Sequence, residues 1–194
     1  MIKADLRKLY TEKRMALKKA ELNLWSERIA EQFVRLPESK NAEWVHCFLS
    51  IPEKNEIDTF KLIQKARSEF RKIQFATSVT DFTTNTLHTC RFIDTAHLKK
   101  NVWGIPEPEP QEPVANELLD IVLVPLLCFD LNGHRVGYGK GFYDRFLAEC
   151  RPNVLKVGLS FFTATEDIED IHAHDIPLDV CITPNQIIRF RSFS

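Results

Sequence analysis

Leu118-Leu-Asp-Ile-Val-Leu-Val124 is an almost uninterrupted apolar run, and the glycine-rich segment Asn132-Gly-His-Arg-Val-Gly-Tyr-Gly-Lys-Gly-Phe-Tyr-Asp-Arg145 comes soon after it. Runs of this kind form strands that are buried on both faces in α/β proteins. Ligands of such proteins bind beyond the carboxyl ends of the strands. The two segments together therefore predict a buried strand that leads to a binding loop.

Strand and helix patterns alternate on both sides of this run. Helical spacing of apolar residues predicts two helices before Pro37, a third that Asp58 caps, and a fourth over residues 142–150. Further strands are predicted at residues 44–49, 73–76, 87–93, 154–159 and 180–183. The proline-rich residues 105–113 read as an extended connector. We expect one α/β domain over residues 1–194, a three-layer α/β/α sandwich with a mixed, largely parallel sheet.

Composition narrows the class of partner. The 26 basic and 27 acidic residues give a formal charge of −1, which argues against nucleic-acid binding through a basic surface. The five cysteines are odd in number and lack a Cys-x-x-Cys pair, so neither a disulfide framework nor a zinc site is indicated. The first residues are too charged for a signal peptide, and no apolar stretch is long enough for a membrane helix. We expect a cytoplasmic protein that acts on a small molecule and contacts neither nucleic acid nor membrane.

Four of the six glycines crowd into the segment after the apolar run, at Gly133, Gly137, Gly139 and Gly141. Glycines at alternate positions allow positive φ and let successive N–H groups approach an anion. Arg135 and Lys140 add positive charge, and the helix that follows would point its positive end at the same place. The segment predicts a phosphate cradle, with Lys140 and Arg135 as candidate catalytic residues. It matches neither a Walker sequence nor a dinucleotide fingerprint, and a glycine-rich surface turn is the alternative.

The segment Arg135-Val-Gly-Tyr-Gly-Lys-Gly-Phe-Tyr-Asp144, together with Pro125-Leu-Leu-Cys-Phe-Asp130, resembles the defining segment of the 5-formyltetrahydrofolate cyclo-ligase family. Shorter landmarks agree with that family in order along the chain. They are Lys3-x-x-Leu-Arg7 near the N-terminus, Phe48-Leu-Ser with Glu56-Ile-Asp-Thr59, Trp103-Gly-Ile-Pro-Glu-Pro108, Val157-Gly-Leu-Ser-Phe161, and His174-Asp175 with Asp179. The fold that this resemblance implies is similar to the ribose-5-phosphate isomerase and CoA-transferase-like group.

The resemblance also implies a reaction, the ATP- and Mg²⁺-dependent closure of 5-formyltetrahydrofolate to 5,10-methenyltetrahydrofolate. In the family, ATP phosphorylates the formyl oxygen, N10 attacks the activated carbon, and phosphate leaves together with ADP. Phosphoryl transfer depends on positioning and on neutralising charge, for which a glycine loop, cationic side chains and carboxylates on a metal are suited. For the oligomeric state we expect a monomer, and an oligomer is the alternative that the sequence leaves open.

Site residues carried over from the family fall into three sets. The nucleotide set is Lys3, Ala4, Asp5, Leu6, Arg7, Arg135, Val136, Gly137, Tyr138, Gly139, Lys140, Gly141, Phe142 and Tyr143. The folate set is Leu49, Glu56, Tyr138, Gly139, Lys140, Gly141 and Phe142. The Mg²⁺ ligands implied are Asp144 and Asp175.

Each assignment has a structural alternative. Asp144 could pair with a neighbouring cation, Asp175 could belong to a turn, Glu56 could be a helix-end acid, and Leu49 could be a core residue. Lys3 and Arg7 could be solvated helix charges, and Trp103 with the proline-rich segment could be a cleft wall or a plain connector. For the whole chain, the alternatives are a metal-independent enzyme similar to sugar-phosphate isomerases and a nucleotide-binding module without turnover.

Overall fold

The computed structural model describes residues 1–101 and 104–190, so Trp103, a proposed cleft wall, lies outside the described residues. Strands make up its centre. In chain order they are β1 (Trp44–His46), β2 (Gln74–Asp81), β3 (Thr86–Phe92), β4 (Leu98–Lys100), β5 (Pro106–Pro108), β6 (Ile121–Pro125), β7 (Cys128–Phe129), β8 (Arg135–Val136), β9 (Leu155–Leu159), β10 (Val180–Ile182) and β11 (Ile187–Arg189).

Seven of these strands form one sheet in the order β11-β10-β9-β6-β1-β2-β3. Strands β10, β9, β6, β1 and β2 pair in parallel, whereas β11 and β3 pair antiparallel at the two edges. The prediction of a mixed, largely parallel sheet is confirmed. The antiparallel edges arise because short connections join β2 to β3 and β10 to β11, and short connections allow only hairpins.

Helices cover both faces of this sheet. The described ranges contain α1 (Lys3–Met15), α2 (Lys19–Arg35), α3 (Thr59–Glu69) and α4 (Phe142–Glu149). In β6, Ile121 and Leu123 belong to a core cluster with α2 and α3, whereas Val122 and Val124 belong to a second cluster with α4. Successive strand residues point to opposite faces, so this apolar run is buried on both sides. The three-layer α/β/α prediction is therefore confirmed.

The first helix packs on a small hairpin outside the main layers. Leu6 and Tyr10 of α1 share a buried cluster with Leu127, Cys128 and Val136, which flank or belong to the β7–β8 pair. The hairpin lies between β6 and the glycine residues in the chain. Through this cluster, the start of the chain is fixed beside the loop that follows β8.

Element boundaries differ from the sequence prediction, most of all at β2, which continues to Asp81 although the predicted strand ended at residue 76. Strand β1 ends at His46, although the pattern extended to residue 49. Strand β6 begins at Ile121, because residues Asn116–Leu118 form a 3₁₀ turn ahead of it. The proline-rich segment is extended as predicted, but its Pro106–Pro108 stretch also pairs with Leu98–Lys100. Prolines fit there because each strand of a two-stranded ladder is an edge, where a missing N–H is tolerated.

The sheet order contains a switch point between β1 and β6. From β1 the chain proceeds through α3 to β2 on one side, whereas β6, β9 and β10 extend in sequence order on the other side. Reversal of strand order at adjacent parallel strands opens a crevice at their carboxyl ends, where open α/β sheets bind ligands. A binding site is therefore expected among the residues that follow β1 and β6.

Two predictions that concern the environment of the chain can be compared with the structure. No helix in the described ranges has the length and hydropathy needed to cross a bilayer. All five cysteines are buried and carry free thiols. Burial raises the pKa of each thiol, to about 11 for Cys90 and Cys150, so these side chains are packing residues and not nucleophiles.

Candidate functional site

A small cavity of about 20 Å³ marks the switch point. Its apolar wall comes from residues at or just beyond the carboxyl ends of three parallel strands. They are Phe48 after β1, Pro125, Leu126 and Leu127 at the end of β6, and Leu159, Phe161 and Phe162 at the end of β9, with Ile57 beside them. Only two charged side chains line it, Arg14 and Glu56. A crevice with an apolar wall and few polar groups is typical of a small-molecule site.

The glycine loop, residues 137–141, lies between β8 and α4. Gly139 and Gly141 have φ of +89° and +67°, whereas Gly137 does not need a positive φ. Gly141 is also the N-cap of α4, so the positive end of the helix faces the loop as the sequence predicted. Lys140 is exposed on the loop and its backbone carbonyl accepts a hydrogen bond from Arg145 at 2.9 Å. The Lys140 ammonium is therefore available to an anion.

Helix α1 brings two cations to this site, Arg7 at the loop and Lys3 at Asp175. The Nε of Arg7 donates to the Gly137 carbonyl at 3.0 Å, and its guanidinium carbon lies 3.0 Å from the position that a Cβ on Gly139 would take. Lys3 forms an ion pair with Asp175, and the Lys3 ammonium is mostly buried. The alternative of solvated helix charges is thus not what the structure shows for Lys3 and Arg7. Both lie within the cluster of residues that the family resemblance grouped around a nucleotide.

Arg135 connects the loop to the segment at residues 175–176. Its Nη2 donates to the Asp144 carboxylate at 2.7 Å and its Nη1 donates to the Ile176 carbonyl. The same Asp144 oxygen accepts from the Ile176 amide at 3.1 Å. The Arg135 side chain is only 7% exposed, so its guanidinium is committed to these partners. The cation that pairs with Asp144 is thus Arg135 rather than its sequence neighbours Arg145 or Lys140.

Asp175 is likewise tied into the site. Its Oδ2 forms the ion pair with Lys3 and accepts from the His172 amide at 2.6 Å. Burial would raise the pKa of Asp175, but the Lys3 ammonium and the His172 amide lower it below the ordinary value. Asp144 accepts a hydrogen bond from the amide of Ile176, the residue directly after Asp175. The two aspartates therefore belong to neighbouring segments of the chain.

These two carboxylates fit a Mg²⁺ ion by their chemistry. Within the described ranges, every contact of Asp144 uses Oδ1 and every contact of Asp175 uses Oδ2, so one oxygen of each carboxylate stays uncommitted. No cluster of three or more His, Cys, Asp or Glu side chains suited to a metal occurs among those residues. That arrangement suits Mg²⁺, which usually binds through one or two carboxylates, waters and substrate phosphates.

Tyr138 connects the two charged side chains that line the cavity. Its hydroxyl donates to Oε1 of Glu56 and accepts from Nη2 of Arg14 at 2.7 Å. The other oxygen of Glu56 accepts from the Ile51 amide at 2.8 Å. Burial and the Glu56 carboxylate raise the pKa of Tyr138, so the phenol stays protonated and donates. Glu56 thus precedes α3 and is directed at the glycine loop, which is not the role of a helix-end acid.

Other predicted residues lie apart from these contacts. Leu49 is buried in the main core, as its structural alternative states, and does not line the cavity. Ala4 and Asp5 are exposed on α1. Four of the other residues predicted to bind the nucleotide take part in hydrophobic packing next to the loop. Leu6 and Val136 belong to the hairpin cluster, and Phe142 and Tyr143 pack against the cluster that contains α4.

Sequence reasoning missed two residues of this cluster, Arg14 and Asn55. Arg14 is buried, although it belongs to a run of N-terminal charges that predicts a solvated face. Asn55 adopts a left-handed conformation (φ 50°) and its side chain donates to the Arg14 carbonyl at 3.2 Å. A Lys-Asn pair directly before Glu56 was the only available signal, since Asn is one of the few residues that tolerate this conformation.

Fold and site together define a three-layer α/β protein whose polar side chains converge at the switch-point crevice of a parallel sheet. Its neighbours among solved structures belong to the ribose-5-phosphate isomerase-like fold group. The sequence model of the 5-formyltetrahydrofolate cyclo-ligase family matches residues 1–184, and the chain belongs to that family. The family is one of enzymes, named as ligases.

Individual relatives agree with this membership. A probable 5-formyltetrahydrofolate cyclo-ligase of Schizosaccharomyces pombe is 30% identical over 175 residues, 83% of this chain and 84% of that protein. The 5-formyltetrahydrofolate cyclo-ligase of Haemophilus influenzae is 28% identical over 91% of this chain and 92% of its own length. The structure of Aquifex aeolicus 5,10-methenyltetrahydrofolate synthetase is similar with a TM-score of 0.81 and 31% identity, over 100% of this chain and 95% of that chain.

Proposed function

We propose that this chain, as one domain, catalyses the ATP- and Mg²⁺-dependent cyclisation of 5-formyltetrahydrofolate to 5,10-methenyltetrahydrofolate, with release of ADP and phosphate. The observation that carries the proposal is convergence. Lys3 and Asp175, 172 positions apart, form an ion pair beside the loop that Arg7 contacts and the carboxylate that Arg135 holds. Cations, backbone donors and carboxylates in one place are what phosphoryl transfer requires.

The glycine loop and its cations would bind the triphosphate. Gly139 and Gly141 have positive φ in this loop, and α4 begins there with its positive end. Lys140 supplies the exposed positive charge. Arg135 is a positioning residue, because its guanidinium donates to the Asp144 carboxylate and to the Ile176 carbonyl. A flexible ammonium on a glycine loop can follow the phosphoryl group as charge develops during transfer.

Asp144 and Asp175 would hold Mg²⁺ through their uncommitted oxygens. Lys3 and Arg135 neutralise the other oxygen of each carboxylate, which keeps both groups ionised and fixed in direction. When bound, the ion would supply positive charge that neutralises the phosphates during transfer. The protein's part is thus to hold two carboxylates close to the loop without a complete cage of ligands.

Folate would bind at the switch point, with Glu56 on the pterin. A carboxylate accepts hydrogen bonds from ring N–H and amino groups, and the apolar wall around Phe48, Leu126 and Phe161 suits the flat ring. The loop then lies between both ligands, since Tyr138 contacts Glu56 while Gly137 contacts Arg7. This arrangement would place the formyl oxygen near the phosphoryl group that ATP transfers to it. After N10 attacks the formyl carbon, that oxygen would leave as part of the phosphate.

One assay tests the proposal. Purified protein is mixed with 5-formyltetrahydrofolate, and the near-ultraviolet absorbance of the methenyl product is followed with and without ATP and Mg²⁺. We expect product only when both are present, with one ADP released for each methenyl group formed. ATP binding without product would support a nucleotide-binding module instead, and turnover of a sugar phosphate without metal would support the isomerase alternative.

A further inference from the structure

Arg14 has an incomplete set of partners. It lies in the last turn of α1 and only 7% of its surface is exposed. Its Nη2 donates to the Tyr138 hydroxyl at 2.7 Å, but its buried Nε has no hydrogen-bond partner in the part of the chain that the structure describes. A guanidinium stays charged and is costly to bury with a donor unmatched. The position of Arg14 therefore calls for a further acceptor.

The cavity beside Arg14 is where such an acceptor would enter. Arg14 and Glu56 both line it, and the Tyr138 hydroxyl is hydrogen-bonded to both of them. Its volume of about 20 Å³ admits a water-sized group and not a ring system. A folate ring that reaches either charged group must therefore take the place of the tyrosine hydroxyl.

The hydroxyl shows which groups the two side chains select. It accepts from Arg14 and donates to Glu56, so the protein offers a donor next to an acceptor. In the described ranges no ion pair joins Arg14 to Glu56 directly, since the hydroxyl lies between them. The complement of such a pair is an acceptor next to a donor on the ligand. A ring lactam has this pattern, with its carbonyl oxygen adjacent to its N–H.

We propose that Arg14 is a specificity-determining residue that donates to the 4-oxo group of the pterin while Glu56 accepts from the adjacent N3–H, and that the Tyr138 hydroxyl holds this position until folate displaces it. The proposal rests on the proposed function, because it assumes a folate at the switch point. The carbonyl oxygen replaces the Tyr138 hydroxyl as the acceptor of Nη2, and its second lone pair can accept from the neighbouring Nε of Arg14, which lacks a partner among the described residues. The carboxylate of Glu56 exchanges one donor for another.

A pair of ligands that differ at C4 and N3 of the pterin tests this role. Binding is measured by calorimetry for 5-formyltetrahydrofolate and for its 4-amino analogue, in which an amino donor replaces the carbonyl acceptor and N3 has lost its hydrogen. The native protein should prefer the 4-oxo ligand. Arg14→Met should lower affinity for the 4-oxo ligand by about 10- to 100-fold, the effect of losing a hydrogen bond to a charged group, and leave the 4-amino ligand nearly unaffected. An unchanged ratio of the two affinities in Arg14→Met would overturn the proposal.

Three further variants keep the test decisive. Arg151→Met is the matched control, because Arg151 also has a buried Nε without a hydrogen-bond partner among the described residues, but it pairs with Asp120 at the opposite end of the strands. It should keep the native ratio. Tyr138→Phe should raise affinity for the 4-oxo ligand, because no hydroxyl competes for Arg14 and Glu56; a fall would contradict the displacement. If Arg14→Met does not fold, Arg14→Lys is measured with the same ligands and should show a smaller loss of preference.

Failure of this inference is distinguishable from failure of the proposed function. Native protein that binds neither ligand and forms no methenyl product would overturn the proposed function, and the role of Arg14 with it. Native protein that binds and turns over 5-formyltetrahydrofolate, but discriminates between the two ligands equally well with and without Arg14, overturns the inference alone. ATP affinity serves as the internal reference, since Arg14 contacts the tyrosine of the loop and not the cations around Asp144.

Discussion

The guanidinium of Arg7 occupies the space that a side chain on Gly139 would need. Its Cζ lies 3.0 Å from the position of a Cβ on Gly139, and its Nε is held by the Gly137 carbonyl at 3.0 Å. The first helix and the glycine loop therefore fit together only because residue 139 has no side chain. A contact between residues this far apart in sequence explains why a glycine is needed there for packing as well as for its φ.

Substitution of Gly139 tests this contact. Gly139→Ala introduces strain at φ +89° and displaces Arg7, so we expect a loss of about 1–3 kcal/mol in the free energy of unfolding. Gly137→Ala is the matched control, since no atom lies within 4 Å of its Cβ position and its φ is not positive. The control should change stability by less than about 0.5 kcal/mol. Urea unfolding of both variants gives the comparison, and equal losses would contradict the contact.

Lys140 is expected to act on the phosphates. Lys140→Ala removes an exposed ammonium that strengthens its contact as charge moves in the transition state, so turnover should fall by about 2–4 kcal/mol, roughly 30- to 1,000-fold. Stability should hold, because the side chain is exposed. Lys72→Ala, an exposed lysine before β2, is the control for loss of charge. Near-normal turnover of Lys140→Ala at saturating ATP would exclude the loop as the phosphate cradle.

The two carboxylates are expected to set the Mg²⁺ requirement. Asp144→Asn keeps an oxygen for the Ile176 amide but loses the negative charge, so half-maximal activity should need a much higher Mg²⁺ concentration. Asp175→Asn should shift the titration in the same direction, by less. Asp179→Asn is the control, because Asp179 pairs with Lys156 at the opposite end of the strands. Native Mg²⁺ titrations in both test variants would remove metal binding from these residues.

Glu56 is expected to bind folate and not ATP. Glu56→Gln keeps one acceptor oxygen, which can serve the Ile51 amide, and turns an NH2 donor towards Tyr138 and the pterin, where about 1–3 kcal/mol of folate affinity should be lost. Calorimetry with each ligand separates the two effects. If ATP affinity falls by the same factor as folate affinity, the change acts through the glycine loop as a whole and Glu56 is not the pterin partner.

Stability is expected to depend on pH through His46. The ring is fully buried beside Phe146, its Nε2 lies 2.6 Å from the Ser78 hydroxyl, and burial lowers its pKa to about 3. The unfolded chain titrates near 6.5, so between these values it binds a proton that the folded protein excludes. The contribution of His46 to the free energy of unfolding is therefore fully present above about pH 6.5. It falls by roughly 1.4 kcal/mol per pH unit as the pH decreases towards 3.

Unfolding in urea at several pH values measures that slope. His46→Gln should be less stable than the native protein at pH 7, yet lose stability less steeply between about pH 6 and pH 4. His88→Gln is the control, because the His88 side chain is 67% exposed and should leave the slope unchanged. A native slope in His46→Gln would mean that other groups account for the acid sensitivity.

Sequence periodicity predicted the elements of this fold and missed some of their ends. The apolar run at residues 118–124 predicts a strand because burial on both faces requires it, but the pattern does not reveal that residues 116–118 turn first. Pairing of Pro106–Pro108 with Leu98–Lys100 was also missed, since a three-residue ladder has no periodicity to detect. Short elements are defined by their partners, which are distant in sequence.

Some residues of the candidate site could be predicted from the sequence, whereas others could not. Lys140 and Asp144 follow from a local motif, because a loop and the first turn of its helix are neighbours in any fold of that segment. Arg14 does not follow, since its burial depends on Tyr138, 124 residues further along the chain. Helical spacing alone assigns such an arginine to the solvated face of α1. Only the packed hairpin shows that this end of the helix faces inward.

The ion pair between Lys3 and Asp175 also sets the time at which a functional molecule can appear during synthesis. It joins residues 172 positions apart, so the cluster around it cannot assemble before Asp175 has left the ribosome. At about 5–20 residues per second, roughly 10–35 s separate the emergence of the two partners. For most of that interval Leu6 and Tyr10 have no β7–β8 hairpin to cover them, because Val136 has yet to be made. The hydrophobic contacts of the first helix therefore form during synthesis before its ion pair with Asp175 can form.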